Sequence, residues 1–375
     1  MDIKSIDMVG LPQQYKILKK ELDKAVLGVM ERAEYINGPE VKSFACELQD
    51  YLGVKSVIPC ANGTDALQLA LMSLNLKQGD EVITSAFSFV APAEACLLLG
   101  LKPVFADVDE STFNIDCSKI EKLITPKTKV LLPVHLFGQS ADMEAIMMLA
   151  KKYGLYVIED NAQSLGSKFK IDEKDKKSGT IGTIGCTSFF PTKNLACFGD
   201  GGACYTNDKT IAQKINILAK HGSTIKYEHN EVGINSRLDT LQAAILSVKL
   251  KYLDDFISKR IAIANQYNTA FREIPDIIIP ETQKGSYHTY NQYTIKVKNG
   301  KRDSLKEFLK KRHVPSQIYY PSPLHRQNVF LKNSDIRYDC SVSERLCSEV
   351  LSLPVSTELT EEQINYIIES IKSFY

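Results

Sequence analysis

Short apolar runs alternate along the chain with stretches whose apolar residues recur every three or four positions. The short runs, rich in β-branched residues, fall at 56–59, 81–84, 103–108, 130–136, 155–160, 186–190 and 202–206. Helical patterns lie between most of them, at 64–74, 91–99, 143–153 and 209–220. Strands that are apolar on both faces are covered on both faces, and strand–helix alternation is the rhythm of a parallel sheet. The pattern therefore predicts an α/β fold: a mostly parallel, seven-stranded sheet flanked by helices. Near Asp239 the rhythm gives way to one long helical stretch reaching about Ile274, the expected bridge to a second domain. A β-like run at 290–297 and helical runs at 302–312, 341–351 and 360–374 then predict a smaller C-terminal α/β domain. The expected division is 1–250 and 251–375. Thr360-Glu-Glu-Gln363 has the form of a capping box that starts the last helix. Residues 170–177, dense in lysine and acid, read as a solvated loop.

Three stretches carry chemistry. The first runs from Cys186 to Cys204 and sets Lys193 in an apolar, aromatic segment ending in Gly199-Asp-Gly-Gly202. Burying an unpaired ammonium is costly, so a lysine there is suited to lose its proton and attack a carbonyl. The plain alternative is a loop lysine beside a strand. In the second, the apolar run from Leu155 to Ile158 leads into Glu159 and Asp160. That is a buried parallel strand ending at the carboxyl edge of the sheet, where α/β proteins place ligands. A carboxylate there serves as a helix cap or binds a cation. In the third, Asn62-Gly63-Thr64 opens an amphipathic helix. The backbone N–H groups of a helix start hold anions, and glycine admits a phosphate closely. Thr64 is equally suited to be the N-cap. A lysine in a pocket, an acid at a strand end and a phosphate cradle are the parts needed to hold pyridoxal phosphate.

The residues around these parts resemble the DegT/DnrJ/StrS family of sugar-nucleotide aminotransferases, within the fold type I (aspartate aminotransferase-like) pyridoxal phosphate enzymes. The matching segments begin with Gly38-Pro-Glu-Val41, Cys60-Ala-Asn-Gly-Thr-Asp-Ala-Leu-Gln68 and Gly79-Asp-Glu-Val-Ile-Thr84. They continue with Glu159-Asp-Asn-Ala-Gln-Ser164, Thr187-Ser-Phe-Phe-Pro-Thr-Lys193 and Gly199-Asp-Gly-Gly202. They end with Val232-Gly-Ile-Asn-Ser-Arg-Leu-Asp-Thr-Leu-Gln-Ala-Ala244 and Tyr319-Tyr-Pro-Ser-Pro-Leu-His325. All appear in the family's order over almost the whole chain.

The resemblance implies roles. Lys193 forms the Schiff base and shuttles the proton. Asp160 pairs with the pyridine nitrogen, and Gln163 faces the ring's phenolic oxygen. Ser188 and the backbone at Gly63 and Thr64 hold the phosphate. Phe89 stacks on the ring, with Phe87 as the alternative. Asn235 and Arg237 reach the neighbouring subunit's site, which makes the enzyme at least a homodimer. Arg237 meets a substrate carboxylate or, alternatively, a structural ion-pair partner. Tyr319, Tyr320 and His325 contact the sugar nucleotide, although the family often has histidine where this chain has Tyr319. His135 and His221 sit in family-like segments and are equally readable as core or loop histidines.

Composition narrows the field. The 375 residues are 44% hydrophobic, enough for a large core, and 46 Lys plus Arg balance 45 Asp plus Glu. Neither nucleic-acid binding nor a charged tail is indicated. The sequence Met1-Asp-Ile-Lys-Ser-Ile-Asp7 lacks a signal-peptide profile, and no apolar run reaches membrane length. Nine cysteines without a Cys-x-x-Cys pair suggest reduced thiols in the cytoplasm, and the six histidines show no metal-ligand spacing. Together with this cytoplasmic setting, the resemblance implies a transaminase moving an amino group from L-glutamate to a nucleotide-linked keto sugar. Its pattern resembles enzymes that aminate carbon 3 of a UDP-linked 2-acetamido sugar or its uronate. The alternatives are a dTDP-3- or 4-keto-6-deoxyhexose aminotransferase, a pyridoxal phosphate-dependent sugar dehydratase and a cofactor-binding sensor. Related dehydratases replace the lysine with histidine, so Lys193 argues against the second. A nicotinamide-dependent oxidoreductase is disfavoured because Gly179-Thr-Ile-Gly-Thr-Ile-Gly185 lacks the Gly-x-Gly-x-x-Gly spacing.

Overall fold

The seven expected strands form one sheet. In a computed structural model that describes residues 6–225, 227–332 and 339–375, they are Ser56–Cys60, Glu81–Ser85, Lys102–Ala106, Thr128–Leu132, Tyr156–Asp160, Ile184–Ser188 and Gly202–Thr206. Across the sheet their order is 56–60, 202–206, 184–188, 156–160, 128–132, 81–85, 102–106. The strand 202–206 runs antiparallel to both of its neighbours, and the other pairings are parallel. Every residue of 81–85 and 202–206 is buried, so both faces of these strands are covered. Side-chain alternation splits the sheet into two cores. Val82, Val130 and Ile158 pack under the helices Gly63–Ser73 and Lys209–Leu218, while Ile83, Leu131 and Val157 pack under Met143–Tyr153.

The carboxyl ends of these strands collect the motifs. Asp160 pairs with Cys186, and both Ser188 and Cys60 pair with Gly202. Three chemistry-bearing segments therefore meet at one end of the sheet, where ligands bind in this class of fold.

Four local expectations are corrected. The long helix after Asp239 is two helices, Thr240–Leu250 and Leu253–Phe271, broken where the Tyr252 N–H turns back to the Lys249 carbonyl (3.1 Å). The second helix carries the chain from one core to the other: Leu253 and Ile257 pack beside the sheet, Ile263, Tyr267 and Phe271 in the C-terminal core. The segment 170–177 is not a loop. Strands Lys168–Ile171 and Lys174–Lys177 form a hairpin whose turn residues, Asp172 and Glu173, are both left-handed (φ 49° and 58°). Ser286–Tyr287 adds a third strand to it. The run 341–351 divides into the helix Ser341–Glu349 and the strand Val350–Leu353. Two helices precede the first strand, Leu11–Arg32 and Pro39–Leu52, where no element was expected.

In the C-terminal part the strands 277–278, 293–297 and 350–353 form an antiparallel sheet. The helices Arg302–Lys311 and Glu361–Lys372 pack on it. The expected capping box is present: Thr360 N–H donates to Gln363 Oε1 (3.0 Å) and Gln363 N–H to Thr360 Oγ1 (3.2 Å). Asp107, just past the strand 102–106, accepts the Val342 and Ser343 N–H groups (3.0 and 2.9 Å) and so caps the helix Ser341–Glu349. No helix among the described residues is long and apolar enough to cross a membrane. The signal-peptide reading involves residues 1–5, which lie outside the described residues.

Candidate active site

The N-cap of the helix Gly63–Ser73 is Asn62, not Thr64: its Oδ1 accepts the Asp65 N–H at 2.8 Å. Capping by the preceding residue leaves the Gly63 and Thr64 N–H groups in the first turn, where a helix has no internal acceptor for them. The turn is pressed against two strand ends. A Cβ on Gly63 would lie 2.7 Å from Ser188 Cβ, and one on Gly202 would lie 2.4 Å from the Asn62 oxygen. Glycine at both places lets the helix start, Ser188 and the end of the strand 202–206 approach this closely. Ser188 Oγ accepts the Phe190 N–H (3.2 Å), which orders the chain leading to Lys193.

Asp160 ends its strand almost wholly buried. Its Oδ1 accepts one hydrogen bond, from Ala162 N–H at 3.0 Å. Burial raises its pKa above the usual carboxylate value, and the Ala162 N–H and the charge of Lys193 oppose that shift. Lys193 sits in a turn closed by its own N–H to the Phe190 carbonyl (2.9 Å). Desolvation lowers the pKa of its amine below the ordinary lysine value, with Asp160 opposing. The two groups thus feel each other's charge, although no ion pair joins them among the described residues. A desolvated amine within reach of a buried carboxylate's charge suits a lysine that reacts as a free base.

Gln163 is held at both ends. Its Oε1 accepts the Phe137 N–H (2.9 Å) and its Nε2 donates to the Tyr320 hydroxyl (3.0 Å). Burial pushes the Tyr320 phenol well up, so it stays neutral and can accept. The structure separates the two phenylalanines. Phe87 is 1% exposed and packs edge-on against Phe137, whereas Phe89 is 55% exposed, with its ring 6.4 Å from that of Tyr320. Phe89 is the ring free to stack on a ligand.

The other expected residues are more dispersed. Tyr319 is half-buried with its ring 5.9 Å from Tyr320. His325 is buried and bonded through Nε2 to Glu344 Oε1 (2.9 Å), in a loop docked by Leu324 N–H on the Ala86 carbonyl. Ser236 Oγ accepts the Ala61 N–H (3.0 Å) and is buried, while its neighbours Asn235 and Arg237 are exposed and part-exposed. Neither is hydrogen-bonded or ion-paired to Lys193 or Asp160 of its own chain among the described residues, and Arg237 has no ion-pair partner among them. His221 stands exposed in a turn beside the His229 ring.

The sequence did not separate the role of Glu159 from that of Asp160, and the structure does. Glu159 is fully buried, facing away from Asp160. Its carboxylate accepts the N–H groups of Gly179 (2.7 Å), Ile181 (2.7 Å) and Gly182 (2.5 Å). His135 Nε2 completes the set at 2.8 Å. Because His135 Nδ1 accepts the Ala141 N–H (3.0 Å), Nε2 carries the proton and donates. The His135 N–H in turn holds the Asp160 carbonyl at 2.9 Å. The glycine-rich stretch 179–185 is therefore a clamp on Glu159. Strand alternation was the available signal, since Glu159 must face opposite to Asp160 and a buried carboxylate needs donors.

This arrangement matches a known family along nearly the whole chain. The model of the DegT/DnrJ/EryC1/StrS aminotransferase family matches residues 16–372. The chain belongs to this family. It is 44% identical to a "Pleiotropic regulatory protein" of Geobacillus stearothermophilus, over 99% of both chains. It is 42% identical to the UDP-2-acetamido-2-deoxy-3-oxo-D-glucuronate aminotransferase of Pseudomonas aeruginosa, over 98% of this chain and 99% of the relative. The UDP-N-acetyl-3-dehydro-alpha-D-glucosamine 3-aminotransferase of Acidithiobacillus ferrooxidans is 40% identical, over 98% and 97%. Among solved structures, a DegT/DnrJ/EryC1/StrS aminotransferase from Brucella abortus has a TM-score of 0.93 at 39% identity, covering 98% of this chain and 99% of its own. NtdA of Bacillus subtilis, with bound cofactor PMP, has a TM-score of 0.92 at 31% identity, covering 100% and 86%. The α/β fold and the family read from the motifs are thus both correct, and the protein is a pyridoxal phosphate-dependent aminotransferase. Its own residues fit that cofactor: a helix start beside Ser188 whose first N–H groups have no acceptor within the helix, an exposed Phe89 ring and a desolvated amine near a buried carboxylate.

Proposed function

We propose that this protein transfers an amino group from L-glutamate to carbon 3 of a UDP-linked 2-acetamido-3-keto sugar or its uronate. The observation that carries the chemistry is the meeting of Lys193, Asp160 and the Gly63 helix start beside Ser188 at one end of the sheet. Bound there, pyridoxal phosphate supplies an electron sink that stabilises negative charge on the carbon losing its proton. The chain supplies the rest. The Gly63 and Thr64 N–H groups and Ser188 hold the phosphate. Asp160, short of hydrogen-bond donors and desolvated, keeps a proton on the pyridine nitrogen. Gln163, fixed by the Phe137 N–H, faces the phenolic oxygen, and Phe89 covers the ring. Lys193 takes up the proton at Nζ and returns it to the other carbon.

Asn235 and Arg237 complete the site of a second copy of the chain, the asparagine at the phosphate and the arginine at the substrate. Their outward placement and the lack of a hydrogen bond or ion pair to their own Lys193 among the described residues support this. The working unit is then a homodimer with shared sites. The nine free thiols support a cytoplasmic setting, and the product class fits polysaccharide or lipopolysaccharide biosynthesis. Tyr319, Tyr320 and His325 lie on the loop that meets the sugar nucleotide. The relatives that act on UDP-linked 3-oxo sugars favour this substrate class over dTDP-linked 3- or 4-keto-6-deoxy sugars.

The test compares turnover, with glutamate as donor, of UDP-linked 3-keto-2-acetamido glucuronate, its neutral glucose counterpart and dTDP-linked 3- and 4-keto-6-deoxy sugars. A UDP-linked 3-keto sugar is expected to be the best substrate. Preference for a dTDP-linked 4-keto sugar overturns the substrate assignment and leaves the aminotransferase intact.

A further inference from the structure

Asn194, the residue after Lys193, is buried, and its side chain reaches two separate segments. Its Nδ2 donates to the Leu165 carbonyl (3.0 Å) and to Thr289 Oγ1 (2.9 Å). Leu165 lies two residues beyond Gln163. Thr289 is fully buried in the segment leading to the C-terminal strand Tyr293–Val297. Its hydroxyl donates onward to the Gly138 carbonyl (3.1 Å), which also takes the Thr289 N–H (2.8 Å). Gly138 has φ 111°, and a Cβ there would lie 2.7 Å from Thr289 Oγ1 and from the Tyr290 and Asn291 nitrogens. Only glycine allows that approach. Phe137, one residue earlier, donates its N–H to Gln163, which donates to Tyr320. A continuous path therefore runs from the neighbour of Lys193, through Thr289, to the glutamine facing the cofactor and the tyrosine of the substrate loop.

A carboxamide held at one nitrogen by two acceptors on different segments fixes the backbone from which the adjacent lysine extends. Displacing a reacting group by about 1 Å costs on the order of 10²-fold in rate. We propose that the Asn194–Thr289 hydrogen bond positions the Lys193 amine, tying it to the segment that enters the C-terminal domain. Asn194 and Thr289 are positioning residues: they act through Lys193 and touch neither cofactor nor substrate. The proposal rests on the reading of Lys193 as the cofactor-binding lysine.

The test uses the full-length holoenzyme and the pH at which the visible absorbance of its lysine-bound cofactor titrates, recorded without substrate. That midpoint reports how the Lys193 nitrogen sits relative to the ring and to Asp160. Thr289→Val keeps the shape and removes both bonds of the hydroxyl. It is expected to move the midpoint by about half a pH unit or more, since half a unit is already a real change in the group's surroundings. It should also lower kcat about tenfold with the keto-sugar KM nearly unchanged, the signature of misplacement rather than lost binding. Thr289→Ser keeps the hydroxyl and is expected to restore both values. A purely structural threonine would lower the melting temperature and leave the midpoint in place. A wild-type midpoint and kcat in Thr289→Val overturns the proposal. Should that variant not fold, Asn194→Ala removes the same bond from the other side, and wild-type values in it overturn the proposal equally. If wild-type protein with added cofactor shows no visible absorbance, the reading of Lys193 falls and this proposal with it. That outcome is distinct from a holoenzyme whose variants are unchanged.

Discussion

Two carboxylates sit side by side at the end of the strand Tyr156–Asp160, and the two faces of that strand treat them in opposite ways. On one face Glu159 receives four donors: three backbone N–H groups of a glycine-rich loop and the ring of His135. On the other face Asp160 receives one among the described residues, from Ala162, and is otherwise desolvated near Lys193. A carboxylate with every lone pair satisfied is an anchor. A buried carboxylate left short of donors is unstable in its charged form unless a cation arrives. The sheet edge thus spends one acid on holding the loop 179–182 and keeps the other available for chemistry.

The largest effect expected from this contrast is on turnover. Asp160→Asn keeps the Ala162 hydrogen bond and removes the charge that holds the pyridine proton. It should lower kcat by on the order of 10²–10³-fold with saturating cofactor while changing stability little, by about 1 kcal/mol or less. Steady-state kinetics and thermal melting check this, and near wild-type kcat would remove Asp160 from its role. Glu159→Gln should show the reverse. Turning an amide N–H₂ toward crowded backbone donors leaves them unpaired, at a cost of about 3 kcal/mol in denaturant unfolding. Turnover of the folded fraction should fall far less than in Asp160→Asn. Equal losses of turnover in both variants would erase the distinction between anchor and chemistry.

A smaller effect tests the coupling across the site. Burial lowers the pKa of Lys193 and the negative charge of Asp160 opposes that shift. Removing the charge removes support for the ammonium, so Asp160→Asn must lower the Lys193 pKa further, not raise it. The pH profile of Lys193 labelling by a simple aldehyde in the apoenzyme should shift to lower pH. An upward shift would contradict the assigned cause. The smallest effect provides the baseline away from the site. Thr360→Ala loses one half of a capping box and should cost about 1 kcal/mol with kcat unchanged.

The same contrast explains what was legible in the sequence. The seven strands were readable because both faces of the sheet are covered, so most strands carry adjacent apolar residues, such as Val82-Ile83, Val130-Leu131-Leu132 and Val157-Ile158. The hairpin 168–177 was not, because its outer strand is four charged residues (Lys174–Lys177) and its pairing partner, Ser286–Tyr287, lies about a hundred residues away. The break at Tyr252 carries no proline or glycine; a tight turn imposes it where the chain passes between two cores. The helices before Ser56 have their buried positions, such as Leu18, Leu22 and Val29, diluted among many charges. Lys193, Asp160 and the 62–64 turn stand out in the sequence because side-chain chemistry and spacing mark them. The clamp on Glu159 does not, because three of its four donors are backbone N–H groups. Burial, which the sequence does not display, separates Phe87 from Phe89, and Asn62 takes the cap because its side chain precedes the first helical residue.

The account turns on Lys193, and sodium borohydride tests it most directly. Purified protein supplied with pyridoxal phosphate should show a visible absorbance that borohydride bleaches irreversibly, and peptide mapping should find the reduced cofactor on Lys193. A label on any other lysine, or no visible absorbance after cofactor is added, would contradict it.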